Sequence, residues 1–263
     1  MNLSLYKKDV FEKYKSGAQL ARVLTENWFE REMYCPSCLN ENLTKNPDNT
    51  KVVDFTCSNC ENDFQLKAQS KPLKSRVVDG ALKPMLEYIK KRVNPNFSFM
   101  HYSTVDWLVQ NLIVIPKFFF SESIIEKRKP LSMNARRSGW VGCNIVLSNL
   151  SNFGKIKVIE NKETIPQRIV QKNWRELSFL NKESIKKRAW VSDILSCIEK
   201  LGKKEFNLEE LYNFEKYLSR LHPNNYHVKP KIRQQLQFLR ERGILKFKKK
   251  GNYKIMNLLK SSI

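Results

Sequence analysis

The chain has 263 residues and carries 48 Lys+Arg against 26 Asp+Glu, a net charge of +22 with a pI near 9.8. So large an excess calls for a polyanionic partner, most simply nucleic acid. Its 41% hydrophobic content excludes a disordered chain, and no apolar run reaches the roughly 18 residues needed to span a bilayer.

The opening stretch, MNLSLYKKDVFEKYK, is too charged for a secretory leader. The expected location is cytoplasmic and reducing, where CxxC pairs serve as metal ligands rather than disulfides. The length leaves room for a domain of about 150–200 residues and a smaller one. Charge is concentrated late, since residues 229–263 hold eleven Lys/Arg and one acid, Glu241.

In chain order, residues 5–33 read as helix, with Ser16-Gly17 as a start and Leu20, Val23, Leu24 and Trp28 on the inner face. Cys35 and Cys38 form a first knuckle, and Cys57 and Cys60 a second, with a turn-like polar loop between them. Residues 62–68 alternate as a strand. Residues 81–93 read as helix, 97–102 and 108–115 as strands, and 121–127 as a short helix. An Arg- and Pro-containing loop over 128–139 leads to strands at 143–147 and 155–159 and a helix over 167–180. Interspersed strands and helices predict an α/β domain. A polar stretch at 181–184 suggests a linker, which gives expected domains of 1–181 and 185–263.

Two CxxC pairs at this separation predict a structural zinc site made by Cys35, Cys38, Cys57 and Cys60. Four thiolates leave no open coordination position, so such a zinc folds the chain and does not catalyse. Cys143 and Cys197, each among apolar residues, read as core thiols.

Around the second knuckle, Asp54 precedes the turn and Gln65 and Lys67 follow it. The period of two places Asp63, Gln65 and Lys67 on one strand face, with Phe64 and Leu66 on the other. A metal-dependent nuclease presents its carboxylate, second oxygen ligand and lysine in this way, the metal activating water and the lysine orienting or deprotonating it. Ordinary amphipathic strands also generate D-x(10)-Q-x-K, so spacing alone leaves both readings open.

Beyond 185, helical periodicity over 190–201, an Asn207 N-cap, Pro230 in a first helical turn and Gly243 at a helix end mark three helices. Apolar runs at 244–247 and 253–256 flank a basic tip, completing a winged helix-turn-helix. With Ile232, Leu236 and Leu239 facing inward, Lys231, Arg233, Gln234 and Gln237 are left to meet DNA. Arg suits a guanine edge and Gln an adenine edge in the major groove. Lys248, Lys249 and Lys250 at the wing tip would meet phosphates. Arg136, Arg137 and Trp140 form a further candidate contact loop, with Trp140 read equally well as core packing.

The blocks QLARVLTENW, YCPSC, VVDF, CSNC, FQLK, NPNF, IIEKRKPL, ARRSGWVGCNI and KIRQQLQFLRERGI span nearly the whole chain. Through them the sequence resembles the DpnI-like methylation-dependent type II restriction endonucleases. The resemblance implies an α/β PD-(D/E)XK nuclease core with an inserted four-Cys zinc site, plus a C-terminal winged helix-turn-helix domain. It implies a monomer that cleaves double-stranded DNA at GATC containing 6-methyladenine, with catalytic Mg²⁺ and structural Zn²⁺. It also implies that Asp54 is the metal-binding acid, Lys67 the catalytic lysine, and Trp140 a neighbour of the methylated adenines. Gln65 stands where the family has Glu, although some nucleases of this superfamily use Gln there. Asp63 or Glu26 could supply the missing charge.

The expected function is therefore a methyl-directed, Mg²⁺-dependent restriction endonuclease. The alternatives are a catalytically impaired methyl-DNA reader and, more distantly, a zinc-ribbon and winged-helix regulator.

Overall fold

The computed structural model describes residues 1–47, 50, 52–249 and 251–256. In its first part it contains helices α1 (Lys8–Lys13) and α2 (Gly17–Glu32) and strands β1 (Leu43–Lys45), β2 (Phe55–Cys57), β3 (Asp63–Gln69) and β4 (Arg76–Ala81). There follow α3 (Leu82–Lys91), β5 (Asn96–Tyr102), β6 (Val109–Ile115), β7 (Ile125–Lys127), β8 (Gly142–Val146), β9 (Ile156–Glu160), β10 (Glu163–Thr164) and α4 (Gln167–Leu177). The C-terminal part comprises α5 (Ile185–Lys200), β11 (Glu205–Asn207), α6 (Leu208–Tyr212), α7 (Glu215–Leu221), α8 (Val228–Glu241), β12 (Leu245–Lys249) and β13 (Asn252–Ile255).

Chain contacts divide the protein into two compact units. The first comprises Met1–Ser75, Tyr88–Lys117 and Lys155–Phe179. It is built on a seven-stranded sheet of order β1-β2-β3-β5-β6-β9-β10. Among the described residues only β3 and β5 run parallel, in register from Phe64↔Asn96 to Gln69↔His101; a parallel pair needs a long crossover, here the chain from residue 70 to 95. β5 reads NFSFMHY and is buried at all positions but one, as a central strand covered on both faces should be.

Helix α2 lays Leu24, Thr25, Trp28 and Phe29 inward. Phe29 packs at a tilt against Phe55, 4.7 Å between centroids, and Phe64 meets Trp174 of α4 at 6.5 Å. Trp28, Phe29, Phe55 and Phe64 are fully buried, each worth about 1.5–3 kcal/mol by area removed from water. The indole Nε1 of Trp28 donates to the Asn2 carbonyl at 2.7 Å, so the buried ring leaves no polar atom stranded. This packing holds α2, and with it Glu26, over the β2–β3 hairpin.

The second unit comprises Arg76–Glu87, Phe118–Gly154 and Leu180–Ile263. It holds one three-stranded sheet of order β4-β8-β7 and another of order β11-β13-β12. Glu199 on α5 accepts hydrogen bonds from Ser151 Oγ and from the Asn152 and Phe153 amides. Helices α5 to α8 with β11 and the β12–β13 hairpin form the winged helix. The Asn207 cap predicted from sequence is a full capping box, in which Asn207 Oδ1 accepts from the Glu210 amide and Glu210 Oε2 from the Asn207 amide. Asn207→Ala is expected to cost about 1 kcal/mol, read as a lower urea midpoint; an unchanged midpoint would show that the box contributes nothing. Gly243, at φ 71°, ends α8 in the left-handed region.

Several elements differ from expectation. The helix anticipated at 121–127 is a 3-10 turn, Glu122–Ile124, followed by β7, because Ile125-Glu126-Lys127 pairs with Ile145-Asn144-Cys143. Glu126 is fixed there by Arg76 at 2.9 Å and by Asn144. Asp79-Gly80 precedes a helix as expected, α3 from Leu82, but lies in strand β4, which the sequence did not mark. The long helix over 5–33 breaks at Tyr14, whose extended backbone separates α1 from α2. The middle helix of the winged domain is split in two at Asn213-Phe214.

Candidate active site and nucleic-acid interface

The two knuckles have the same local geometry. In each, the amide one residue past the second cysteine bonds back to the carbonyl of the first: Leu39 to Cys35 at 2.8 Å, Glu61 to Cys57 at 3.0 Å. The first cysteine's own amide then bonds to the carbonyl five residues on, Asn40 or Asn62. Leu39 and Glu61 adopt φ of 64° and 54°, the left-handed kink that folds both sulfurs to one side. All four Sγ atoms lie within 4.8 Å of one another, with Cys35–Cys60 at 3.5 Å and Cys38–Cys57 at 3.6 Å. Zinc–sulfur bonds of about 2.3 Å in a tetrahedron require sulfur–sulfur edges of about 3.8 Å. The cluster fits zinc. Asn62 Nδ2 donates to Cys60 Sγ at 3.2 Å and Asn40 Nδ2 reaches Cys57 Sγ at 3.7 Å, donors suited to thiolate charge.

The second knuckle is the turn of the β2–β3 hairpin, which pairs Phe55 with Phe64 and Thr56 with Asp63. Asp54 stands just before β2, and its amide bonds to the Phe64 carbonyl at 3.0 Å. Asp54 Oδ2 accepts the Leu66 amide at 2.8 Å, which fixes its carboxylate across the strand. Burial pushes the Asp54 carboxyl above its ordinary value and Glu26 adds to the rise, while the Leu66 amide, Lys67 and Lys45 oppose it. A carboxylate destabilised by burial and by a second acid is one that a cation would relieve.

Gln65 Oε1 is buried and has no hydrogen-bond partner, an expensive condition for an amide oxygen. Asp54, hydrogen-bonded to the residues on either side of Gln65, and this orphaned oxygen are donors of the type that suits a divalent metal. Lys67, two residues on from Gln65, lies close enough to act on Asp54. Of the three expected catalytic residues, Asp54 and Lys67 interact, and Gln65 lies between the two residues that bond to Asp54.

The two auxiliary acids are placed differently. Asp63 Oδ1 accepts from Thr56 Oγ1 at 2.8 Å, engaged on the hairpin itself. Glu26 is a leading charge on Asp54 and is ion-paired with Lys45 at 2.9 Å and Arg22 at 3.6 Å. Lys45 escaped the sequence reading because it sits in a three-residue strand after a polar loop, with no periodicity to mark it.

On α8, Ile232, Leu236 and Leu239 are fully buried, while Arg233, Gln234 and Gln237 are exposed and Lys231 is half-buried. Lys231 Nζ donates to Gln234 Oε1 at 2.6 Å, and Gln237 Nε2 donates to Glu241 at 3.1 Å. Lys248 and Lys249 are exposed on β12, Lys248 pairing with Glu205 at 2.6 Å; Lys250 lies outside the described residues. In the 128–141 loop, Arg136 and Arg137 are exposed and Trp140 is half-buried rather than core. The Arg137 guanidinium lies 5.0 Å from the Trp140 ring. That ring also covers Gly142, where an added Cβ would come within 2.8 Å of it.

A family model described as DpnI, the Dam-replacing family, matches residues 1–183, and that of the Dam-replacing helix-turn-helix domain matches residues 186–255. The chain belongs to the DpnI family. A DpnI-family protein combines a mixed α/β core, a four-cysteine site that could hold zinc, and a C-terminal helix-turn-helix domain, and all three are present. The family supports a restriction nuclease with DNA as its partner. Among the described residues no helix is long and apolar enough to cross a membrane.

Proposed function

We propose that this protein is a methyl-directed restriction endonuclease that cleaves double-stranded DNA at GATC containing 6-methyladenine. The observation that carries the reading is Asp54 hydrogen-bonded to the residues flanking Gln65, whose side-chain oxygen is orphaned, with Lys67 close enough to act on that carboxylate. Asp54 and Gln65 would hold Mg²⁺, which when bound lowers the pKa of a water and neutralises charge growing on the phosphate. The Leu66 amide keeps the Asp54 carboxylate turned toward that position. Lys67 orients the attacking water, and Glu26, held by Lys45, is the nearby acid that acts on Asp54. Residues 1–181 would cut, residues 185–263 would read DNA through α8 and the wing, and Trp140 would offer the methyl group an apolar face. The working form is a monomer in the cytoplasm.

A second reading, a catalytically impaired methyl-DNA-binding protein, is favoured by one fact, the amide at Gln65. Incubation with methylated and unmethylated GATC plasmid, with Mg²⁺ or with EDTA, separates the two. The nuclease reading expects only the methylated plasmid to be cut, and only with metal. Retarded but intact methylated plasmid would establish the reader instead. Gln65→Glu is expected to lower the Mg²⁺ concentration for half-maximal cleavage, since it restores a full charge to the ion's ligand set; an unchanged metal requirement would show that Gln65 does not hold the ion.

A further inference from the structure

Between the first turn of α5 and the exposed stripe of α8 lies a cleft of about 450 Å³, into which Lys186, Lys187 and Lys231 converge. Three ammonium groups around one concavity repel each other, and the cost is visible at Lys231. Burial, with Lys186 and Lys187 beside it, holds its pKa below the ordinary lysine value. Lys187 has local compensation, an ion pair with Glu183 at 2.9 Å and a seat 3.5 Å from the Phe238 ring centroid. Lys186 and Lys231 have no carboxylate partner among the described residues, and the acid at the cleft's far end, Glu241, is engaged by Gln237.

The lysines are also held in position. Lys231 is tied to Gln234 Oε1 at 2.6 Å and Lys187 rests on an aromatic wall, so an anion entering the cleft meets donors already in place. Gln234 and Gln237, exposed side chains of the DNA-reading helix, line the same cleft.

We propose that this cleft is a phosphate-binding subsite that takes a backbone phosphate of the DNA duplex beside the bases that α8 meets. Lys231, which sequence reasoning gave only as facing DNA, here grips the backbone and, through Gln234 Oε1, positions an amide for a base edge. The inference rests on the winged domain's holding DNA, and it adds Lys186 and Lys187 to the contact set.

The test uses the full-length protein carrying Lys186→Gln and Lys231→Gln together, in EDTA, with affinity for methylated and unmethylated duplex measured across a range of salt concentrations. Each lost phosphate contact removes about 0.9 from the slope of log affinity against log salt, so the double variant should lose about 1.8. Both duplexes should weaken by the same factor, because phosphates carry no sequence information. Lys186→Arg with Lys231→Arg should restore most of the slope.

An unchanged slope, with wild-type binding intact, would overturn the subsite and leave the nuclease reading standing. A loss confined to methylated duplex would overturn it in favour of base reading. Inorganic phosphate that raises the wild-type melting temperature but not the variant's, without a slope change on DNA, would show a free-phosphate site instead. Wild-type protein that binds neither duplex would sink the functional reading itself. Should the double variant fold poorly, the exposed Lys186→Gln change alone should still lower the slope by about 0.9.

Discussion

Lys67→Ala is expected to lower the rate of DNA cleavage by about 10²–10⁴-fold, the usual contribution of a positioned proton-transfer group. Asp54→Asn should do at least as much, because it keeps the side chain's shape while removing the charge that holds the ion. The amide Leu66 N–H that donates to Asp54 Oδ2 could still bond to the Asn oxygen, so the hairpin should persist. Both variants should keep duplex affinity close to wild type, since neither residue lies on α8 or the wing. The comparison is made by single-turnover cleavage of methylated plasmid alongside binding in EDTA. Cleavage by either variant within threefold of wild type would remove Asp54 and Lys67 from the reaction, and a parallel loss of binding would make their role structural.

Loss of the metal at the knuckles is expected to have the second large effect. Cys57→Ser, or prolonged exposure to a strong chelator, should lower the melting temperature and abolish cleavage together. Structural zinc contributes about 10–16 kcal/mol in isolated zinc-finger peptides; in a sheet with its own core the loss is smaller, but it falls on a critical place. β2 ends at Cys57, three residues from Asp54, and the second knuckle is the turn of the hairpin whose other strand carries Gln65 and Lys67. Without a zinc there, the register under the proposed active site would lose its anchor, and a slip of one residue would turn Gln65 and Lys67 to the other face. Metal content by atomic absorption, thermal melting and cleavage are the three readouts. Full cleavage by a metal-free protein would show that the hairpin holds its register unaided.

How much of this was legible in the sequence depends on the range of the forces involved. The cysteine pairs announced themselves because a tetrahedral ion fixes their spacing. Asp54, Gln65 and Lys67 could be aligned because a strand's alternation is local. The Asn207 cap and the inward face of α8 were readable for the same reason, each being set within one or two helical turns. Strands β1, β7 and β11 were missed because three residues carry no period of their own and become strands only when a partner supplies the other half of the ladder. The grouping of Arg76–Glu87 and Phe118–Gly154 with the C-terminal residues is likewise a matter of long-range pairing. Glu26 could be offered as a candidate from sequence, but its place beside Asp54, and the ion pair that Lys45 makes with it, depend on a helix packing over a sheet.

The amide at position 65 has a consequence for timing as well as for charge. A DNA phosphate approaching a pocket lined by several carboxylates is repelled until an ion arrives to mask them. Here one of those positions is neutral and Glu26 is already matched by the ammonium of Lys45. In the proposed nuclease the polyanion would therefore be able to settle before the ion does, and the ion, rather than the docking of the duplex, would be what commits the strand to scission.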